Sequence, residues 1–141
     1  MGAVRVHIMR KDRPQCGLLI ENSEGKILLQ LRDDKPAIPY PDCWGTFGGQ
    51  VEPGETPDEA IRREILEELE YEVSHTEYFG NFPFDGYDIH MFRTVDPSVA
   101  LDNIKVREGQ RGGFFTLNEV RNIPCAFNCR DIVVAYFAMY H

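Results

Sequence analysis

Apolar and polar residues alternate along this chain in two rhythms, one of strands and one of helices. Residues 16–21 and 26–32 are apolar runs of β type, joined by Asn22-Ser23-Glu24-Gly25, whose closing glycine signals a hairpin. A short first strand is expected at residues 4–9. Pro36, Pro39 and Pro41 make residues 33–42 a loop, since proline fixes φ and donates no N–H. Residues 44–51 should be extended. At Thr56 the rhythm changes. Thr56 as N-cap, Pro57 at the first helical position and Glu59 three residues after the cap make a capping box. Residues 73–79 and 87–95 are expected strands, and residues 113–116 a third, short one. A helical turn at residues 117–121 ends before Pro124. Residues 128–140 form a second helix, with Ile132, Val133, Tyr136, Phe137 and Tyr140 on its inner face. Strands separated by two helices predict an α/β fold with a mixed sheet between helices.

The first helix crowds carboxylates onto one edge. An α-helix turns by about 100° per residue, so with Glu64 at zero, Glu67 lies near −60° and Glu68 near +40°. Ile61, Ile65 and Leu69 fall at about +60°, +100° and +140°, the apolar stripe that must face a core. The acids therefore border the buried stripe. Like charges at these spacings destabilise a helix by about 0.2–0.5 kcal/mol per pair, and a cation between them reverses that sign. Oxygen ligands with no His or Cys nearby suit a hard ion, Mg²⁺ or Mn²⁺. A solvated acidic face would explain the charge but not its setting.

That setting is the stretch from Gly49 to Tyr71, GQVEPGETPDEAIRREILEELEY. It resembles the signature of the Nudix hydrolases, G-x5-E-x7-R-E-U-x-E-E-x-G-U, where U is aliphatic. Gly49 opens it, Glu55 follows, Arg63-Glu64-Ile65 supplies R-E-U, and Glu67 and Glu68 supply the paired acids. Two positions depart: Glu70 stands where the pattern has its late glycine, and Tyr71 where it has an aliphatic residue. The glycine would end the helix in a left-handed conformation, so Glu70 puts that terminus in question.

The resemblance implies an α/β/α sandwich and hydrolysis of a diphosphate bond in a nucleoside diphosphate linked to another group. Glu64, Glu67 and Glu68 would hold Mg²⁺ (or Mn²⁺), Arg63 would orient the acids, and Gly48 and Gly49 would bring the backbone close to the metal site. Glu108, in Glu108-Gly109-Gln110, is similar in place to a further metal-binding glutamate of the MutT-type members. Arg32 matches a phosphate-contacting arginine, with an edge-strand charge as its competing role. Asn128 matches an amide that reads a purine, although its place before a helix favours an N-cap. Trp44 and Phe47 are expected in the core. A MutT-like nucleoside triphosphate pyrophosphohydrolase is the favoured activity. The proline loop, longer than the connection in MutT, leaves a nucleotide sugar or ADP-ribose open. Another class of reading is a Nudix-fold binding module that has lost catalysis, but such relics lose acidic ligands and this chain keeps them.

Composition narrows the partners. The chain has 141 residues, net charge −8 and a pI near 4.9. That length suits one domain, residues 1–141. The acidic balance argues against long nucleic acid, which needs a Lys/Arg footprint, but not against a small phosphorylated molecule, above all a nucleotide. No run of about 18 apolar residues exists to cross a membrane, and the N-terminus lacks the apolar core of a signal peptide. Cys16, Cys43, Cys125 and Cys129 fit no zinc spacing and are expected as free thiols in a reducing cytoplasm. A homodimer is left open.

Overall fold

Strand β1 (Gln15–Glu21) is buried on both faces, and the rest of the fold follows from what covers each. The computed structural model describes residues 13–141, so the strand expected at residues 4–9 lies outside them. The other elements are β2 (Ile27–Leu31), β3 (Trp44–Gly45), β4 (Phe47–Gln50), α1 (Pro57–Leu69), β5 (Glu77–Asn81), β6 (Ile89–Val95), β7 (Arg111–Phe115), α2 (Leu117–Val120) and α3 (Cys129–Tyr140). A 3₁₀ turn covers Leu101–Asn103.

The sheet is mixed, as expected. β1 runs parallel to β6 from Gln15↔Ile89 to Glu21↔Val95, and antiparallel to β4 and β2 on its other edge. β7 and β3 extend the β2 side, and β5 pairs with β6 across a bulge near Tyr78 and Gly80. The two-residue period of the strands sorts side chains between two cores. Leu18, Ile20 and Leu28 pack with Ile61, Ile65 and Leu69 of α1, whereas Leu19, Leu29 and Leu31 pack with Ile132, Val133 and Tyr136 of α3. Ile61, Ile65 and Leu69 are fully buried, and each contributes about 1.5–3 kcal/mol by leaving water. Phe137 and Tyr140 of the expected inner face are only partly buried against the second core. Trp44 and Phe47 are core residues, as expected.

One strand begins later than the hydrophobic pattern predicts. Residues 73–76 are not extended pairing partners; they are tied to α1 instead. The Val73 carbonyl accepts from Arg62 Nη1 at 2.7 Å, and Thr76 Oγ1 bonds Asp58. Val73 is apolar because it enters the α1 core, which imitates the first residue of a strand.

Candidate active site

The capping box fixes where α1 starts. Thr56 N–H donates to Glu59 Oε1 (2.9 Å), and Glu59 N–H donates to Thr56 Oγ1 (3.1 Å). With the start set and the apolar stripe buried, Glu64 and Glu68 must turn toward β4. They are 1% and 2% exposed. Glu67 stands out at the rim, its side chain 45% exposed.

Two glycines form the wall they face. A Cβ on Gly49 would lie 2.5 Å from Glu64 Cδ and 2.7 Å from both its carboxylate oxygens. A Cβ on Gly48 would lie 2.0 Å from the Cys16 carbonyl oxygen. Gly49 thus makes room for an acid, and Gly48 for the neighbouring strand. The Gly48 N–H also donates to Glu68 Oε2 at 3.3 Å.

Arg63 gathers the acids from below. Nε and Nη2 fork onto Glu55 at 2.7 and 2.9 Å, Nη1 reaches Glu64 Oε1 at 2.9 Å and Glu67 Oε2 at 3.5 Å, and Nη2 donates to the Gln50 carbonyl at 3.2 Å. Such a fork is the strong form of a carboxylate contact. Its hydrogen bonds to Glu55 raise the Arg63 pKa above the usual arginine range, and those from Arg63 chiefly hold the Glu55 carboxyl below its usual range. The stability this bridge gives is therefore present above the ordinary carboxylate pKa and is lost as pH falls through the lowered folded value. Thermal melts between neutral and acid pH should show Glu55→Gln with a shallower acid limb than the parent. Superimposable limbs would show that the bridge is not coupled to folding.

Residues 105–110 approach from the other side. The N–H groups of Lys105 and Arg107 donate to the Leu69 and Glu68 carbonyls (3.0 and 2.7 Å), supplying donors that a helix end lacks. Gln30 Nε2 donates to the Glu108 carbonyl at 2.7 Å. Glu108 thereby sits between α1 and β2, near enough to Arg32 to favour its charged form, while burial lowers the Arg32 pKa.

Arg32 and Asn128 have structural roles the sequence did not suggest. Arg32 Nε and Nη2 donate to the Pro39 carbonyl (3.1 and 3.0 Å), and its guanidinium lies 5.1 Å over the Phe127 ring. It folds the proline loop back rather than guarding a sheet edge. Asn128 makes no side-chain cap; its Nδ2 donates to the Phe82 carbonyl at 2.9 Å. Asn128 does stand at the N-cap position of α3, as expected, but without a side-chain cap bond, its amide turned to the β5–β6 connection. Tyr40, Phe127 and Phe84 meet beside it, with ring centroids 4.7 Å apart for Tyr40–Phe127 and 6.1 Å for Phe84–Phe127. Gln30, Arg107, Phe84 and Phe127 escaped the sequence reading. A polar residue inside ILLQL could have marked Gln30; nothing local marked the others.

Among the described residues, no group of three or more His, Cys, Asp or Glu side chains is drawn together as a ready-made ion site. Arg63 engages two of the acids instead. The donor chemistry nonetheless fits a hard divalent ion: the acids offer oxygen ligands, Glu64 and Glu68 are buried, and Gly49 keeps clear the space a Cβ would fill against Glu64.

A family model described as the NUDIX domain matches residues 11–135. The chain belongs to the Nudix family. Among curated relatives, this Nudix chain is 44% identical over 69 residues to the nucleoside triphosphatase NudI of Escherichia coli, covering 49% of the chain and 47% of NudI. It thus spans about half the length of the curated relatives it matches. A MutT structure from work on the Aliivibrio salmonicida and Vibrio cholerae proteins superposes with TM-score 0.74 at 25% identity, covering 91% of this chain and 98% of that one. The Nudix domain of Shewanella oneidensis NrtR, solved with ADP-ribose, gives TM-score 0.75 at 12% identity over 98% of this chain and 91% of its own, a likeness of fold. No described helix of this Nudix chain is long and apolar enough to cross a membrane. All four cysteines are free thiols.

Proposed function

We propose that this chain, read as a single Nudix domain over residues 1–141, is a divalent-metal-dependent hydrolase. It cleaves a phosphoanhydride bond of a nucleotide, with nucleoside triphosphate pyrophosphohydrolysis favoured. The observation that carries this reading is the burial of Glu64 and Glu68 against the Gly48–Gly49 wall, with Arg63 bridging Glu64, Glu67 and Glu55. Two nearly buried carboxylates on one helix edge are costly unless something positive meets them. The NudI match supports the triphosphate substrate.

Glu64, Glu67 and Glu68, with Glu108 from the facing loop, would hold Mg²⁺, and Mn²⁺ would substitute. Bound there, the ion neutralises phosphate oxygens and lowers the pKa of water. The protein's own part is positioning, which is most of what phosphoryl chemistry asks. Arg63 sets the carboxylate rotamers, and the Gly48 N–H holds Glu68. A carboxylate of the cluster takes the proton of the attacking water as the new P–O bond forms. The bridging oxygen leaves on the other phosphate with the electron pair of the broken bond. Arg32, which feels the charge of Glu108, would meet a phosphate in competition with the Pro39 carbonyl.

The aromatic group of Tyr40, Phe127 and Phe84 offers the base a face, and the Asn128 amide lies next to it. Stacking of a base on an aromatic ring contributes about 1–3 kcal/mol. Phe127→Ala should raise KM for nucleoside triphosphates by about tenfold or more, with kcat changed much less. An unchanged KM would mean that these rings pack only on one another. A panel of nucleoside triphosphates, nucleotide sugars and ADP-ribose, each with and without Mg²⁺, tests the function itself. Faster turnover of ADP-ribose would replace the triphosphate reading, and metal-independent or absent turnover across the panel would overturn the proposal.

A further inference from the structure

The position where the Nudix pattern has glycine is occupied by Glu70, and the backbone there keeps the glycine conformation. Glu70 caps α1 at φ 50° and ψ 37°, its N–H donating to the Leu66 carbonyl at 3.0 Å. A left-handed conformation costs a side-chain-bearing residue about 1–2 kcal/mol. Tyr40, Asp42, Asp85 and Phe127 also take positive φ, so what sets Glu70 apart is the contact its side chain makes. The Glu70 carboxylate is ion-paired with Nε and Nη2 of Arg107.

Both partners are well exposed, at 42% and 57% of the side chain. Exposed pairs contribute little to stability, so the pair at most cancels the strain. Its consequence lies in what it holds. Arg107 directly precedes Glu108. Its N–H donates to the carbonyl of Glu68 at 2.7 Å, so one residue links the α1 acid to the loop acid. On the far side, Gln30 Nε2 holds the Glu108 carbonyl, and Gly109 at φ 82° presses on β2, where a Cβ would lie 2.7 Å from the Leu31 carbonyl oxygen. Glu108 is thus fixed to β2 by its own backbone and to α1 through Arg107.

We propose that Glu70 and Arg107 form a latch that holds the loop carrying Glu108 onto the end of α1, making both positioning residues of the cation site. The latch takes the place of the glycine and adds a side-chain tie to the two backbone hydrogen bonds that join the end of α1 to the loop. The inference rests on the acidic edge being the metal site proposed above.

The test is Mn²⁺ binding to the intact chain without nucleotide, followed by calorimetry or electron paramagnetic resonance, alongside thermal melts. Arg107→Ala and Glu70→Gln should each weaken Mn²⁺ binding about tenfold, the low end of what residues supporting a metal ligand contribute. Melting should barely move. Glu108→Gln should also weaken binding, and Arg107→Ala should add little on top of it, because both act through one carboxylate. The exchanged pair Glu70→Arg with Arg107→Glu should restore binding. Glu70→Gly should melt at or above the parent, its backbone strain relieved, and still bind Mn²⁺ poorly. This variant keeps the test decisive if Arg107→Ala folds badly. Parent-like Mn²⁺ binding in Arg107→Ala or Glu70→Gly overturns the latch alone, as does full additivity with Glu108→Gln. A parent chain that binds no Mn²⁺ overturns the function proposed above, and the latch with it.

Discussion

Glu68→Gln should leave about a tenth or less of the parent's hydrolytic rate and a melting temperature no lower than the parent's. Gln preserves the shape and still accepts the hydrogen bond that Gly48 N–H makes to Oε2 at 3.3 Å. What disappears is the charge. One tenfold step in rate corresponds to about 1.4 kcal/mol, a modest demand on a carboxylate only 2% exposed. Stability should hold or rise, because Glu68 lies four residues from Glu64 and like charges at that spacing cost about 0.2–0.5 kcal/mol. Glu67→Gln, at the exposed rim, should lose activity with the same indifference to melting. Rates across a range of Mg²⁺ concentrations, paired with melting curves, decide the matter. Full activity of Glu68→Gln at saturating Mg²⁺ would remove Glu68 from the metal site. A sharp fall in melting temperature would recast its role as structural.

Arg63→Ala should have the opposite signature, losing stability and activity together. The guanidinium is the cation bonded to Glu55, Glu64 and Glu67 at once. Removing it leaves the Glu64 carboxylate, 1% exposed, without that compensation. Breaking a buried pair from one side costs about 3–5 kcal/mol. Arg63→Lys should recover only part of this, since an ammonium cannot fork onto Glu55 while reaching Glu64. The decisive variant is Arg63→Ala with Glu64→Gln. It should regain much of the lost stability, because the buried charge has gone, and none of the activity. Denaturant midpoints for the two single variants and the double form the cycle. If the double variant were as unstable as Arg63→Ala alone, the loss would come from the Glu55 fork and the Gln50 carbonyl instead.

The two halves of the molecule were not equally legible in the sequence. Around Glu64 everything needed was local. The Thr56 box sets the phase of α1, the spacing of Ile61, Ile65 and Leu69 sets the buried side, and the acids' orientation follows from helix geometry. The strands with continuous apolar runs were also plain, because a strand covered on both faces needs no polar alternation. What escaped was set by contacts between distant residues. Val73 looked like the start of a strand and belongs to the core under α1. Asn128 stands at the N-cap as its place suggests, but its side chain is turned so that Nδ2 donates to a carbonyl of the β5–β6 connection. Arg32 anchors the loop that follows it, a use that depends on how Pro39 folds back. Glu70 could be marked as a departure from the family pattern, yet its partner Arg107 lies in a loop with no periodicity to place it.

The parallel pairing of β1 with β6 also governs when the acidic edge comes into being. Helix α1 has thirteen residues, a length that is marginal for an isolated helix, and its clustered carboxylates lower its intrinsic helicity further. It gains its stability only when β1 and β4 cover Ile61, Ile65 and Leu69. β1 pairs with β6, from the distant middle of the chain, and β7, which follows Glu108, pairs with β2. Contacts of such long range form late and slowly. The acidic edge therefore depends on pairings between distant parts of the chain. A fragment or nascent chain that stops short of β7 carries the full acidic motif in its sequence but not the arrangement that makes it useful.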